Sequence, residues 1–294
     1  MKDLAPTSAV TESDVVSPTA LEVGSGFSAR QFRHSQFSGL MDPLLMVDDY
    51  TMTEPTFGAH AHGGISAVSL LFEDSQGDFF NQDSLGNNLA LGAGDLYWLS
   101  AGRGAMHDES PRSGEARIRG LQIFVKLPAQ RAYMPPESLH VPGASMPTIM
   151  GPGTRVRVAL GSSNGMEGKS GTPNPLTLLD GYLDGGAHFS HEVAAGGSVW
   201  IYAVEGELTV QFNGETRRVQ GGNALALRTD AEASNITLNA VRTTHFVLIA
   251  AKPLDEPFEQ KGPFAFATAK ENEQAVADAQ AGVFGDIATL RESA

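Results

Sequence analysis

The 294-residue chain contains no cysteine. Disulfides, thiolate metal sites, iron–sulfur clusters and cysteine nucleophiles are therefore excluded. No apolar run approaches the roughly 20 residues that a membrane-spanning helix needs. Charge is scarce at 18% of residues and unbalanced, with 20 Lys+Arg against 34 Asp+Glu, a net of −14. A surface of that sign repels phosphate backbones and anionic lipid, so neither direct nucleic-acid binding nor membrane binding is expected. The stretch from Met1 to Asp14 is polar and lacks a signal-peptide core. A cytoplasmic location is the expectation.

What the chain has in quantity is glycine, 33 residues, and proline, 16, on a 41% hydrophobic background. That mixture suits many turns and short strands around a buried core, an all-β architecture. The length suits about two domains. Strand-like runs recur at Ala67–Phe72, Leu89–Leu91, Leu96–Leu99 and Ile118–Leu127. A second series runs through Thr154–Leu160, Leu176–Leu183, Ser198–Val204, Leu208–Phe212, Ala224–Leu227 and Phe246–Ala250. Asn213-Gly214 is a hairpin turn signal inside the second series. A stretch rich in proline and glycine, 134–153, divides the two. The segment Gly94-Asp95-Leu96-Tyr97-Trp98-Leu99 has a weak copy in Gly222-Asn223-Ala224-Leu225-Ala226-Leu227. The expectation is a loose arm over 1–19 and two tandem small β-barrels, 20–140 and 141–294. The second is expected to carry a short helix that opens on the capping box Thr268…Glu271 and stops at Gly282.

Three of the 8 histidines fall in one strand-rich block. His60 and His62 are two apart, so both rings point to one face of a strand. His107 and Glu109 repeat that spacing. Two such pairs on neighbouring barrel strands converge inside. A lone His-x-His is more often a surface or turn feature. Two pairs flanked by Gly58, Gly63, Gly64, Gly102 and Gly104 favour a metal site. Imidazoles with a carboxylate suit a borderline divalent ion: iron, nickel, manganese, cobalt, copper or zinc. Without thiolates a closed structural zinc site is disfavoured.

Other patterns weigh less. Gly161-Ser162-Ser163-Asn164-Gly165 has nucleophile-elbow spacing, but no helix follows. Gly24 to Ala29 has dinucleotide-loop spacing outside any βαβ unit. His34 and His140 read as surface residues. Tyr97 and Trp98 read as barrel core and rim. Whether Arg103 lies against a carboxylate near the ligand loop is open. In the second half, the positions offset like His107 and Glu109 are Asn235 and Thr237. His188 and His191 are spaced to split across a strand, beside Glu192, and His245 stands alone.

Several blocks together resemble the pirin family of the bicupin superfamily: Gly58-Ala59-His60-Ala61-His62-Gly63-Gly64, Asp83-Ser84-Leu85-Gly86-Asn87, and Gly94-Asp95 through Ser100-Ala101-Gly102-Arg103-Gly104-Ala105-Met106-His107-Asp108-Glu109. The segments Asp42-Pro43, Gly120-Leu121-Gln122, Gly262-Pro263-Phe264 and Ala281-Gly282-Val283-Phe284-Gly285 extend the likeness over nearly the whole chain after the arm. The resemblance implies two tandem cupin barrels. It implies His60, His62, His107 and Glu109 as ligands of one divalent metal per chain, typically iron, with a metal-free second barrel. It further implies a dioxygenase similar to quercetin 2,3-dioxygenases, acting on a flavonol or other enolic small molecule, in which Glu109 is a ligand or general base. The alternative is a non-catalytic metal-binding regulator that contacts a protein partner. A monomer is expected. Ala61 and Gly63 replace the family's usual Pro and Arg, Ser66-Ala67 its acidic residue, and Asn81 a common His. Those departures bear on substrate orientation: loss of the Arg guanidinium is expected to weaken flavonol turnover.

Overall fold

A computed structural model describes residues 10–112 and 114–287. It is built almost wholly of antiparallel strands, with one α-helix, Ala269–Gln280. No described helix is long and apolar enough to cross a membrane.

The chain divides into two compact units, and the division differs from the expected one. One unit comprises residues 10–18, 32–43 and 146–253; the other comprises 19–31, 44–145 and 254–287. The expected arm is therefore ordered from Val10. Val10–Glu12 pairs antiparallel with Ala224–Thr229 of the second barrel. Residues 1–9 lie outside the described range.

The closing helix packs on the first barrel, not the second. Ala275 buries with Leu127, Ala132, Phe264, Phe266 and Phe284 over Ala61. The physical reason is the run of aromatic residues after Pro253. Phe264, Phe266 and Phe284 need an apolar face, and Ala61 with Met106 offers one on the outer side of the first barrel. Helix start and stop match the capping signals. Thr268 Oγ1 accepts from Glu271 N, Glu271 Oε2 accepts from Thr268 N, and Gly282 follows at φ +74°.

The first barrel is two sheets. A seven-stranded sheet runs Glu137–Val141, Leu96–Ser100, Ile65–Leu71, Ile118–Lys126, Leu44–Met52, Phe27–Arg33, Thr19–Val23. A four-stranded sheet runs His60–His62, Ala105–Pro111, Phe79–Asp83, Asn88–Leu91. Between them Tyr50, Met52, Leu71, Phe79, Leu91, Tyr97, Leu99 and Ile118 form one end of the core. The other end is polar and holds the histidines.

The second barrel is one nine-stranded sheet wrapped on itself. Its two long strands, Ser198–Phe212 and Ser234–Ala251, pair along their lengths with register shifts near Glu205 and Glu207. Such shifts bend and twist a sheet. Its main core is apolar, from Val156 and Leu179 to Ile236, Leu238, Phe246 and Leu248.

Candidate metal centre

Strand pairing brings the histidines together. His60–His62 lies antiparallel to Ala105–Pro111, with His107 opposite His60 and Ala105 opposite His62. Alternation sends His60, His62, His107 and Glu109 to the barrel interior and Ala61 and Met106 outward. His107 Nε2 lies 2.8 Å from His62 Nε2 and 3.0 Å from His60 Nε2. Two nitrogens bound at right angles to one ion, each about 2.0–2.1 Å away, would themselves be about 3 Å apart. His60 Nδ1 is 2.9 Å from the Gly58 carbonyl, so that nitrogen carries the proton and Nε2 presents its lone pair. Three ring nitrogens so close repel unless a proton or a cation lies among them. The donor set suits a borderline metal, and His60, His62 and His107 could hold one.

Burial keeps the rings in the neutral, ligating form. His62 and His107 are pushed well below the usual histidine range by burial first, then by neighbouring imidazoles. The Pro263 backbone acts in the opposite sense on His62. His60 is lowered by burial, opposed by Gly58.

Glu109 is not within the imidazole cluster. Its Oε1 lies 2.5 Å from Ser69 Oγ, which lies 2.8 Å from the Gln122 amide. Serine has one hydroxyl proton. With the Gln122 amide oriented NH2-first, the chain runs Gln122 to Ser69 to Glu109, and the one serine proton serves the carboxylate. Burial pushes Glu109 up to about 7 against the Ser69 hydrogen bond. Tyr50 is raised by burial and then by the Glu109 charge. Asn81 sits directly across from Glu109 on Phe79–Asp83 and is fully buried. Tyr50, Ser69, Asn81 and Gln122 thus make the polar wall beside the triad. Gln122 and Ser69 were visible as polar breaks in otherwise apolar strand runs; Tyr50 gave no signal.

Other expected positions resolve as follows. Gly63 faces away from the triad. A Cβ there would lie 3.1 Å from the rings of Phe264 and Phe266, and its carbonyl accepts from Ala265 N at 3.0 Å. It is a packing position for the C-terminal segment. Trp98 is buried, Tyr97 donates its hydroxyl to Asp83, and Arg103 is exposed. His140 is half-buried, with Nε2 2.9 Å from Asp95, and His34 is also half-buried. Asp83 Oδ1 accepts from the backbone of Leu85 and Asn87 and so shapes its hairpin.

In the second barrel Asn235 is exposed and Thr237 bonds Ser190 on the outer face. Ile236 and Leu238 point inward instead. A fixed offset from Gly222 thus lands on the outward face, because any odd slip in the count exchanges the faces of a strand. His188 is exposed and His191 buried, split as their spacing requires, and Glu192 is exposed. His245 Nε2 lies 2.6 Å from Asp180.

Two β-barrels in one chain, with an imidazole triad inside the first, define a bicupin. Comparison with known proteins then gives the family. The Pirin family profile matches residues 18–125, and the Pirin C-terminal cupin domain matches residues 178–285. Pirin from Homo sapiens is 31% identical over 239 residues, 81% of either chain. The chain belongs to the pirin family. Among solved structures it is similar to a quercetin 2,3-dioxygenase from Acinetobacter baumannii, with TM-score 0.80 and 27% identity over 94% of this chain and 98% of that one. A bacterial pirin from Escherichia coli in complex with nickel(II) shares the fold at TM-score 0.63 and 20% identity, over 83% of this chain and 100% of that one.

Proposed function

We propose that this pirin is a metal-dependent dioxygenase of the quercetin 2,3-dioxygenase type, acting on an enolic or catechol-like small molecule. The convergence of three neutral imidazoles inside the first barrel carries the reading. His60, His62 and His107 would hold one divalent ion, most simply iron. When bound, the ion supplies Lewis acidity, which lowers the pKa of a coordinated hydroxyl and prepares the substrate for oxygen.

The remaining work falls to the chain. Glu109 lies two residues beyond His107 on the same face, either as fourth ligand or as the base that takes the substrate hydroxyl proton. Ser69 and Gln122 hold its carboxylate. Tyr50 and Asn81 offer polar atoms that no described side chain satisfies. They suit hydrogen bonds to a substrate oxygen.

The test begins with metal content of protein purified without chelator or nickel affinity. One metal equivalent is expected, absent in His107→Ala. Oxygen uptake with a panel of flavonols and simpler enols follows. Uptake dependent on that metal supports a dioxygenase. A full equivalent without uptake across the panel overturns the enzyme reading in favour of a regulator acting through a protein partner. A full equivalent retained by His107→Ala overturns the ligand assignment.

A further inference from the structure

The second barrel carries a cleft of about 570 Å³ at one end, within the range of small-molecule sites. Three observations point to what it takes. The first is His191. Its side chain is buried, 6% exposed, on the inward face of His188–Val193, and it lines the cleft. Its Nδ1 lies 2.9 Å from Ser163 Oγ, and Ser163 is itself 4% exposed. Asn164 Nδ2 donates to the same Oγ at 3.3 Å. The buried Ser163 hydroxyl has His191 Nδ1 as its one acceptor among the described residues, so the serine proton goes there and the ring proton sits on Nε2. Among the described residues this ring has no other hydrogen-bond partner. A neutral N–H donor is thereby fixed in the wall of the cleft. Burial holds His191 down at about 4, so the ring stays neutral near pH 7.

The second observation is charge. Lys169 and Lys252 line the same cleft, two of the chain's six lysines. Neither has an ion-pair partner among the described residues. Glu192 also lines it, which leaves a net single positive charge in a chain whose total is −14. The third is shape: Pro175, Leu176, Val193 and Ala250 supply apolar wall.

The Gly161-Ser162-Ser163-Asn164-Gly165 segment explains how the device is built. Asn164 at φ +49° and Gly165 at φ +75° make a two-residue hairpin turn of the mirror type I form. The turn sets Ser163 behind His191 instead of exposing it as a nucleophile. Ser163 does not line the cleft.

We propose that this cleft binds a small organic carboxylate with an apolar body. The His191 Nε2–H and the two ammonium groups meet the carboxylate, and the Leu176–Ala250 wall meets the body. Ser163 is a positioning residue that fixes the His191 tautomer. The proposal is independent of the first barrel and of its metal.

Benzoate is the probe and benzamide its uncharged control, in calorimetric titration of the full chain. One benzoate per chain is expected, with benzamide at least tenfold weaker. Imidazole nitrogen spectra should show His191 protonated on Nε2 before addition and shifted at Nε2 after it. His191→Leu should weaken benzoate at least tenfold without changing metal content. His191→Gln, which keeps an N–H donor, should recover part of the loss, and the exposed Lys169→Met tests the charge without disturbing the core. Ser163→Ala should leave a mixture of His191 tautomers. Absence of saturable binding, equal affinity for benzamide, or unchanged affinity in both His191→Leu and Lys169→Met would overturn the proposal.

Discussion

Ser69 lies 2.5 Å from Glu109 across the interior of the first barrel, and Gln122 lies 2.8 Å behind it. The carboxylate is thus restrained by a hydroxyl that is not part of the imidazole cluster. Outer partners that orient a metal-site residue typically contribute 10–100-fold to affinity or activity. Ser69→Ala should therefore lower metal-dependent oxygen uptake about 10–100-fold while leaving the three imidazoles in place. Metal content near one equivalent alongside the reduced rate is the expected pair of readings. An unchanged rate would show that Glu109 needs no such restraint.

Gly63 gives a second prediction, opposite in sense to the one that its neighbours in sequence suggest. It adjoins His62, yet Phe264 and Phe266 occupy the space beside it. Gly63→Arg should displace both rings. Overpacking of this kind costs about 1–3 kcal/mol. A lower unfolding midpoint with no gain in flavonol turnover is expected. A faster flavonol reaction in a fully stable variant would return the residue to the substrate pocket.

That contrast shows what the sequence makes legible and what it hides. His60, His62 and His107 were readable because a strand places every second residue on one face, and the two pairs needed only to be neighbours. The helix ends were readable because Thr268, Glu271 and Gly282 act locally. The C-terminal segment was not readable. Nothing local to Phe264, Phe266 or Phe284 says which barrel they cover, since apolar burial carries no direction along the chain. The same blindness hid Tyr50, whose place near Glu109 comes from strands far apart in sequence. Asn235 and Thr237 face outward for a different reason: loop lengths differ between the barrels, and any odd slip in a strand exchanges its faces.

Phe284 and Gly104 supply a coupled test of the C-terminal strap. A Cβ on Gly104 would lie 2.1 Å from the Phe284 ring, and Gly104 has φ +154°. Gly104→Ala should destabilise the first barrel by roughly 1–3 kcal/mol through overpacking and backbone strain. Phe284→Ala alone should cost about 3 kcal/mol for the lost ring. In the double variant the ring is gone, so the added Cβ meets open space. The two effects should then fall short of their sum by about 1 kcal/mol or more, within the range for residues in contact. Denaturant unfolding of the four proteins measures this directly. Simple additivity would mean that the strap does not rest on Gly104.

Asp180 sets the acid limit of the second barrel. It is buried between Arg157 and His245, with Arg157 directly opposite on the neighbouring strand. Burial alone would raise its pKa. The His245 and Arg157 charges and hydrogen bonds overcome that and hold it at about 2, below the ordinary 3.8. A carboxyl depressed on folding binds its proton more readily in the unfolded chain. Its contribution is therefore complete above about pH 4 and is lost as pH falls toward 2. The shift corresponds to about 2 kcal/mol. Urea unfolding of the native protein should show stability falling through this window. Asp180→Asn should be less stable throughout, by about 3–5 kcal/mol, because Arg157 is left buried without its carboxylate. It should also lose less stability between pH 4 and 2 than the native chain does. If the variant and the native protein lose stability equally over that range, the acid sensitivity belongs to other carboxylates, and the Arg157–Asp180–His245 cluster contributes only packing.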